Sequence, residues 1–383
     1  SNGATHCSER WNEMDKSISS NQEATPQWTD HLISPLDRAL RDKGPWVRVE
    51  ESKKGGWYCL HGESSDHAVN WFHVNTEGKM KPLAALDDTR LPAISAAMNH
   101  WISKGTPVEL LAWRIGSRAI FRLGPDKFAK IFRKDRQILK RWKCLASGNP
   151  ERNISVPAVL DWQEDIKTLT LEAAPGKSLN SLWKSGLWDP RHGTALDNIL
   201  EWLAESDITE DLPSHTTEDE IEILEKRLQV FNRMLRDAPE DVTPLVEKVI
   251  SRLKSLDSQE PVLCHRDFHD KQVLVSGDET YLLDMDLLAY SDPGLDVGNI
   301  IAHMRLRSYQ GCPVPWKEVA LKLIRSANSR GVDSNRIKTW TASTFTRLLL
   351  IYSRRNRPDS LLHKLKSDLD DLLHDSGDWQ GVL

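Results

Sequence analysis

Apolar residues change their spacing twice along this chain. Between 45 and 75 they gather in short alternating pieces, Trp46-Val47-Arg48-Val49 and Ala68-Val69-Asn70-Trp71-Phe72-His73-Val74, divided by Gly55-Gly56 and Gly62. Such pieces between glycines predict strands. Asp87-Asp88-Thr89 stands ahead of Leu91-Pro92-Ala93-Ile94, where polar side chains can cap a helix running to about Trp101. From 107 the alternation tightens. Val108–Trp113, Ala119–Leu123 and Lys127–Phe132 read as three strands joined by turns at Arg114–Arg118 and Gly124-Pro125-Asp126. A helical spacing follows over about 134–146, with Ile138, Leu139, Trp142 and Leu145 on one face, and then two more strands near 156–162 and 167–173. Three strands, a helix and two strands predict a five-stranded sheet carrying one helix.

After Pro175-Gly176 the period becomes helical. Segments near 193–205, 217–236 and 243–256 carry it, as do 295–306, 316–329, 336–355 and 358–374. One hairpin interrupts them: Gln272–Val275 and Tyr281–Leu283 flank Ser276-Gly277-Asp278-Glu279. The expected division is a polar tail and an N-terminal α+β cap-like unit over 1–104, a sheet lobe over 105–175, and a mainly helical lobe over 176–383.

Composition narrows the function classes. Of 383 residues, 39% are hydrophobic and 28% charged, enough apolar matter for a sizeable core. A net charge of −5 argues against a general nucleic-acid binder. No apolar run reaches the ~20 residues of a membrane span. The five cysteines, at 7, 59, 144, 264 and 312, form no CxxC pair and read as reduced thiols, which predicts a cytoplasmic protein. The 15 tryptophans are scattered, as core packing residues would be. His61 and His67 have no matching ligand set, and Glu218-Asp219-Glu220 and Asp368–Asp371 read as solvated helix faces.

The chemistry concentrates in Cys264-His265-Arg266-Asp267-Phe268-His269-Asp270-Lys271-Gln272-Val273, a polar cluster set inside apolar sequence. Seventeen positions after Asp267, an apolar strand ends in Asp284-Met285-Asp286. Three carboxylates in one cleft, with a lysine from the sheet, are what phosphoryl transfer needs. One carboxylate orients the attacking hydroxyl, another with an amide holds a divalent cation, and the lysine neutralises phosphate. Lys130, between Phe128-Ala129 and Ile131-Phe132, fits the lysine role.

Residues 107–310 resemble the aminoglycoside phosphotransferase and choline kinase family, relatives of the protein kinases. The resemblance rests on His265, Asp267 and His269 in that family's His-Gly-Asp-x-x-x-x-Asn loop, on Asp284, and on Asp292-Pro293-Gly294-Leu295-Asp296. Two positions depart from the pattern: Arg266 stands in the glycine position and Gln272 in that of the asparagine. The resemblance implies an α+β, protein-kinase-like two-lobed fold, preceded here by the extra N-terminal unit. It implies ATP and Mg²⁺ as cofactors and a small hydroxyl-bearing acceptor of aminoglycoside, amino-alcohol or sugar type. Asp267 would be catalytic. Lys130, Asp135 as its helix partner, and the linker residues Glu172 and Ala174 would bind nucleotide. Gln272, Asp284 and Asp286 would serve the metal, and Asp296 would anchor the loop. The alternative reading, motivated by Gln272, is a catalytically inactive kinase-like binding or regulatory module.

Overall fold

The structure is a computed structural model, and it describes residues 32–41, 43, 45–62, 70–208, 211–235, 242–355 and 359–383. Ala68, Val69, His67 and Cys7 lie outside the described residues. Four strands, Trp46–Glu51, Trp57–His61, Trp71–Val74 and Met80–Pro82, form an antiparallel meander. The following helix, Ala93–Ser103, has Pro92 at its N-cap and no side-chain cap. Asp88 therefore does not cap it. Its Oδ2 instead accepts Trp113 Nε1–H at 2.9 Å and the Gly116 N–H at 2.6 Å, clamping the turn between the next two strands. That turn needs a positive φ of 62° at Gly116, which glycine adopts without a Cβ penalty.

The second sheet contains Val108–Arg114, Arg118–Leu123, Lys127–Phe132, Val159–Gln163 and Thr168–Glu172. Its spatial order puts Thr168–Glu172 beside Lys127–Phe132 and Val159–Gln163 at the edge. The predicted strands fall within a residue or two of these bounds, except that the fourth begins three residues later. The helix between them is shorter than its apolar spacing implied, Ile138–Cys144. Gln137 sits at φ 59°, so the helix cannot extend back through it.

Beyond the sheet lie helices Leu179–Lys184, Pro190–Glu205, Thr217–Met234, Val242–Lys254, Leu295–Tyr309, Trp316–Ser329, Ser334–Tyr352 and Asp359–His374. The helical lobe packs most closely where Leu295–Tyr309 crosses Ser334–Tyr352. A Cβ on Gly298 would come within 2.6 Å of the Thr341 backbone nitrogen, so glycine permits the approach. The hairpin is present as Val273–Ser276 with Glu279–Leu282, and Ser276 and Glu279, expected in the turn, pair with each other as the last and first residues of the strands. Short strands that the pattern did not announce extend it: Lys177–Ser178 pairs with Val273–Ser276, and Ile154–Ser155 with Glu279–Leu282. Gly176, at φ 99°, enters that first pairing so closely that a Cβ would meet Val275 O at 2.4 Å.

Apolar burial ties the parts together. Trp46, Val49, Cys59 and Val74 join the large core of the helical lobe, whereas Leu60 and Trp71 join Trp101, Trp113, Phe121 and Ile131 beneath the five-stranded sheet. Trp71, Trp142, Trp183, Trp340 and Trp379 are all fully buried. No helix of the described residues is long and apolar enough to cross a membrane.

Candidate active site

Asp267 sits on a loop pinned at its backbone. Asp296, at the start of helix Leu295–Tyr309, accepts His265 N–H at 2.6 Å and Arg266 N–H at 2.9 Å. Arg266 is held at φ 70°, a region costly for a residue with a Cβ, and two hydrogen bonds onto one buried carboxylate offset that strain. Asn299, a turn further along the same helix, donates Nδ2–H to Arg266 O at 3.1 Å. The His265 ring is buried. Its Nδ1 accepts Asp267 N–H at 3.3 Å, which leaves Nε2–H to donate to Leu283 O at 2.6 Å. The histidine thus ties Asp267 to the strand end that carries Asp284. The Asp267 side chain itself is 49% exposed, with Oδ1 3.8 Å from His269 Nε2, and its charge acts on Arg118.

A buried polar chain supports the loop from behind. Asn299 Oδ1 accepts Thr344 Oγ1–H at 2.6 Å and also takes Arg347. Arg347 Nε lies 3.1 Å from Glu220 Oε1, which accepts Ser343 Oγ–H at 2.5 Å. Glu220 is buried, not part of a solvated face. Burial opposes its charge, but Arg347, His215 and Ser343 outweigh that and hold its pKa at about 2. Asp368 is likewise buried, paired with Arg305 at 3.0 Å. Helical periodicity alone could not show that either acid points inward.

Lys130 comes from the opposite wall. It is 3% exposed, and its Nζ donates to Asp284 Oδ1 at 2.6 Å and to both oxygens of Asp286 at 3.1 Å. Arg118, just past the Gly116 turn, adds a hydrogen bond to Asp286 Oδ2 at 3.2 Å and stands 4.0 Å from Asp284 Oδ2. Trp142 Nε1–H donates to Asp286 Oδ1 at 3.0 Å, and Arg141 to the Asp286 carbonyl at 2.5 Å. Burial raises the cost of both charges. For Asp284 the cations Lys130 and Arg118 prevail and keep its carboxyl far below the usual range. Asp286 shifts the other way, pushed up by burial and by the negative charge of Asp284.

These contacts sort the expected residues. Lys130, Asp284 and Asp286 meet, with Asp267 on the adjoining loop. Each Asp286 oxygen accepts two hydrogen bonds, Oδ1 from Lys130 and Trp142 and Oδ2 from Lys130 and Arg118. Gln272 is buried beside Asp284, since its carbonyl accepts Leu283 N–H at 2.8 Å. Asp135 stands elsewhere. It is exposed, accepts Ile138 N–H at 3.1 Å, and lines a shallow depression with Gln137, Lys140 and Trp162, none of which touches Lys130. The helix begins only at 138, which leaves Asp135 outside it. Glu172 N–H is used by Ala158 O and Ala173 N–H by Asp126 O, whereas Ala174 makes no backbone hydrogen bond among the described residues. On the Lys130 face of the sheet, Leu111, Ile120 and Phe128 pack with Ala112 and Ala173 into an apolar patch beside that linker. Strand alternation puts Phe128 and Lys130 on one face, and Ile120 is directly opposite Lys130. Arg118, Arg141 and the role of Trp142 were not evident from sequence, because nothing in their local pattern marks them as contacts of a residue some 140 to 170 positions away.

The sequence model of the phosphotransferase enzyme family, APH, matches residues 113–313, more than half of the chain. The chain belongs to this family. No curated protein matches it in sequence. Among solved structures it is similar to a thermostable mutant of aminoglycoside phosphotransferase APH(4)-Ia in ternary complex with AMP-PNP and hygromycin B. That likeness has a TM-score of 0.54 and 13% identity over 74% of this chain and 99% of the other. It is also similar to choline kinase LicA from Streptococcus pneumoniae, with a TM-score of 0.51 and 14% identity over 74% of this chain and 99% of the other. Identities this low establish the kinase-like fold of the family.

Proposed function

We propose that the protein transfers the γ-phosphoryl group of ATP to a hydroxyl of a small molecule of aminoglycoside, amino-alcohol or sugar type, with Mg²⁺ as cofactor. The observation that carries this reading is the buried Lys130 ammonium facing two carboxylates beside a loop-held, half-exposed Asp267. The donor set suits a hard cation: the Asp284 carboxylate and the Gln272 amide offer oxygen ligands. When bound, Mg²⁺ would neutralise phosphate charge and orient the polyphosphate.

The remaining roles fall to this chain's own residues. Adenine would lie against Leu111, Ile120 and Phe128, with the Ala174 backbone and the linker at Glu172 within its reach. Lys130 and Arg118 would donate to phosphate oxygens, and Asp286, with Trp142 behind it, would fix the lysine. Asp267 would accept the acceptor's hydroxyl proton as the new O–P bond forms and the bond to ADP breaks. Asp135 has no part in this arrangement. The described part of residues 1–104 would form a cap-like unit that, through Asp88, sets the Gly116 turn and so Arg118. A related fold solved with both AMP-PNP and hygromycin B supports the pairing of a nucleotide with a small acceptor.

The test is a thermal-shift titration with ATP, with and without Mg²⁺, on wild type and Asp284→Ala. At ligand about 100-fold above Kd the expected stabilisation is about 2.7 kcal/mol. A Mg²⁺-dependent shift lost in the variant, followed by ADP release with an alcohol acceptor, sustains the reading. Nucleotide binding with no ADP release across the acceptor classes points instead to an inactive binding module, and no shift at all removes ATP.

A further inference from the structure

Next to Asp267, whose Oδ1 lies 3.8 Å from His269 Nε2, the loop and the helix Leu295–Tyr309 bring together His269, Asp270 and His303. One donor atom from each lies within 4.8 Å of the others. The two imidazoles stack, with ring centroids 4.6 Å apart and planes 27° from parallel. Asp270 is fully buried, and its two oxygens are used unequally. Oδ2 accepts Asn180 Nδ2–H at 2.6 Å and Arg307 Nε–H at 2.8 Å, while Oδ1 has no hydrogen-bond partner among the described residues. His303 Nδ1 is also buried without a hydrogen-bond partner among the described residues.

Two buried polar atoms without partners in one cluster are costly, since each forgoes the stabilisation that water would give it. A bound cation would satisfy both at once where His303 Nδ1 carries no proton. Burial disfavours the charged form of both rings; His269 Nδ1, 4.0 Å from Asp270 Oδ1, accepts Lys271 N–H at 3.1 Å and would exchange that hydrogen bond for a metal. We propose that His269, Asp270 and His303 form a three-ligand site for a zinc-class transition metal, distinct from the Mg²⁺ cleft. Two nitrogens and one carboxylate oxygen are the ligand types of open zinc sites, with the fourth position left to solvent. A tetrahedral ion with ligands at about 2.0–2.2 Å needs donors roughly 3.4 Å apart, so modest side-chain rotation closes the present spacing. Asn180 and Arg307 fix the Asp270 carboxylate through Oδ2 and aim Oδ1 at the site, as outer partners of metal ligands commonly do. Both histidines are half-buried as residues, and the His269 side chain is 12% exposed.

The inference stands apart from the phosphotransfer reading, and its test does not use activity. Metal-free full-length protein is titrated with Co²⁺ in excess Mg²⁺ and followed by visible absorption, with Zn²⁺ as competitor. Wild type is expected to take up one equivalent with the intense visible bands of tetrahedral Co²⁺, displaced by Zn²⁺. His303→Gln and His269→Gln are expected to weaken uptake by about a hundredfold or more, and Asp284→Asn to leave it unchanged. Thermal unfolding of the metal-free variants checks that each is folded. Absence of stoichiometric uptake by wild type overturns the proposal. So does uptake that persists in a folded His303→Gln but is lost in Asp284→Asn, because the ion then belongs to the cleft.

Discussion

On the loop side of the cleft, Asp267 is placed by a carboxylate, an amide and a histidine that all bond backbone groups between 265 and 283. On the sheet side, Lys130 is placed by Asp284, Asp286, Trp142 and Arg118, which bond side chain to side chain across some 140 to 170 residues of sequence. The loop side fixes a backbone and lets one carboxylate stand half exposed. The sheet side fixes a buried charge with other buried charges. Backbone anchoring tolerates changes in the side chains it presents, whereas a buried charge cluster depends on every member, because removing one leaves the others uncompensated.

The largest expected effect tests which side carries the proton. Asp267→Ala should lower turnover by about 10²–10⁴, the usual range for a positioned general base. The half-exposed side chain bonds little else, so the unfolding midpoint and ATP binding should change little. Near-wild-type turnover in this variant removes Asp267 from the mechanism and leaves the comparison without a catalytic partner for Lys130. A smaller but more structural effect is expected of Asp296→Ala. It strands two buried N–H groups on a strained loop, at about 1–3 kcal/mol each, and should show in urea denaturation as well as in turnover. If only turnover fell, Asp296 would be acting on the reaction and not on the loop's backbone.

These two sides also differ in how far sequence revealed them. His265, Asp267, Asp284 and Asp296 lie within 32 positions of one another, and strand–loop–hairpin order constrains where each can go. Their polar character inside an apolar stretch made them visible. The helices were visible for a similar reason, since burial of one face writes a period into the chain. Asp135 was the misplaced residue. A helix with an acid near its start suggested the lysine's partner, but the helix begins at Ile138 and Asp286 takes the acid's place. Which acid pairs with Lys130 is decided by tertiary packing of Trp142 and Arg141 against residues 285–287, and no local period encodes that. Asp88 and Glu220 were missed in the same way, as polar residues whose partners come from remote segments.

Glu220 sharpens the comparison by pH. Its folded pKa of about 2 lies below the ordinary 4.5 of an unfolded glutamate. A depressed folded value means that its stabilisation is fully present above about pH 4.5 and is lost as pH falls toward 2. The difference corresponds to on the order of 3 kcal/mol. Glu220→Gln should therefore flatten the acid limb of the stability–pH curve between about 4.5 and 2, measured by urea midpoint at each pH. An unchanged limb would mean that the chain from Glu220 through Arg347 to Asn299 does not brace the loop electrostatically.

The smallest effect is the most diagnostic for the sheet side. Trp142→Phe keeps the buried ring, whose centroid lies 5.2 Å from Lys130 Nζ, and removes only the Nε1–H that donates to Asp286 Oδ1. One hydrogen bond to a charged acceptor contributes about 1.5–3 kcal/mol before relaxation. Lys130 still donates to that oxygen, so the loss in global stability should fall at or below the bottom of that range. The informative readout is the division between KM for nucleotide and kcat. With one donor gone, Asp286 draws Lys130 more strongly toward itself and away from phosphate. Nucleotide KM should rise several-fold while kcat stays near wild type, because Asp267 and its loop are untouched. If kcat falls and KM does not, the tryptophan reaches the reaction through the loop, and the two sides of the cleft are one coupled unit.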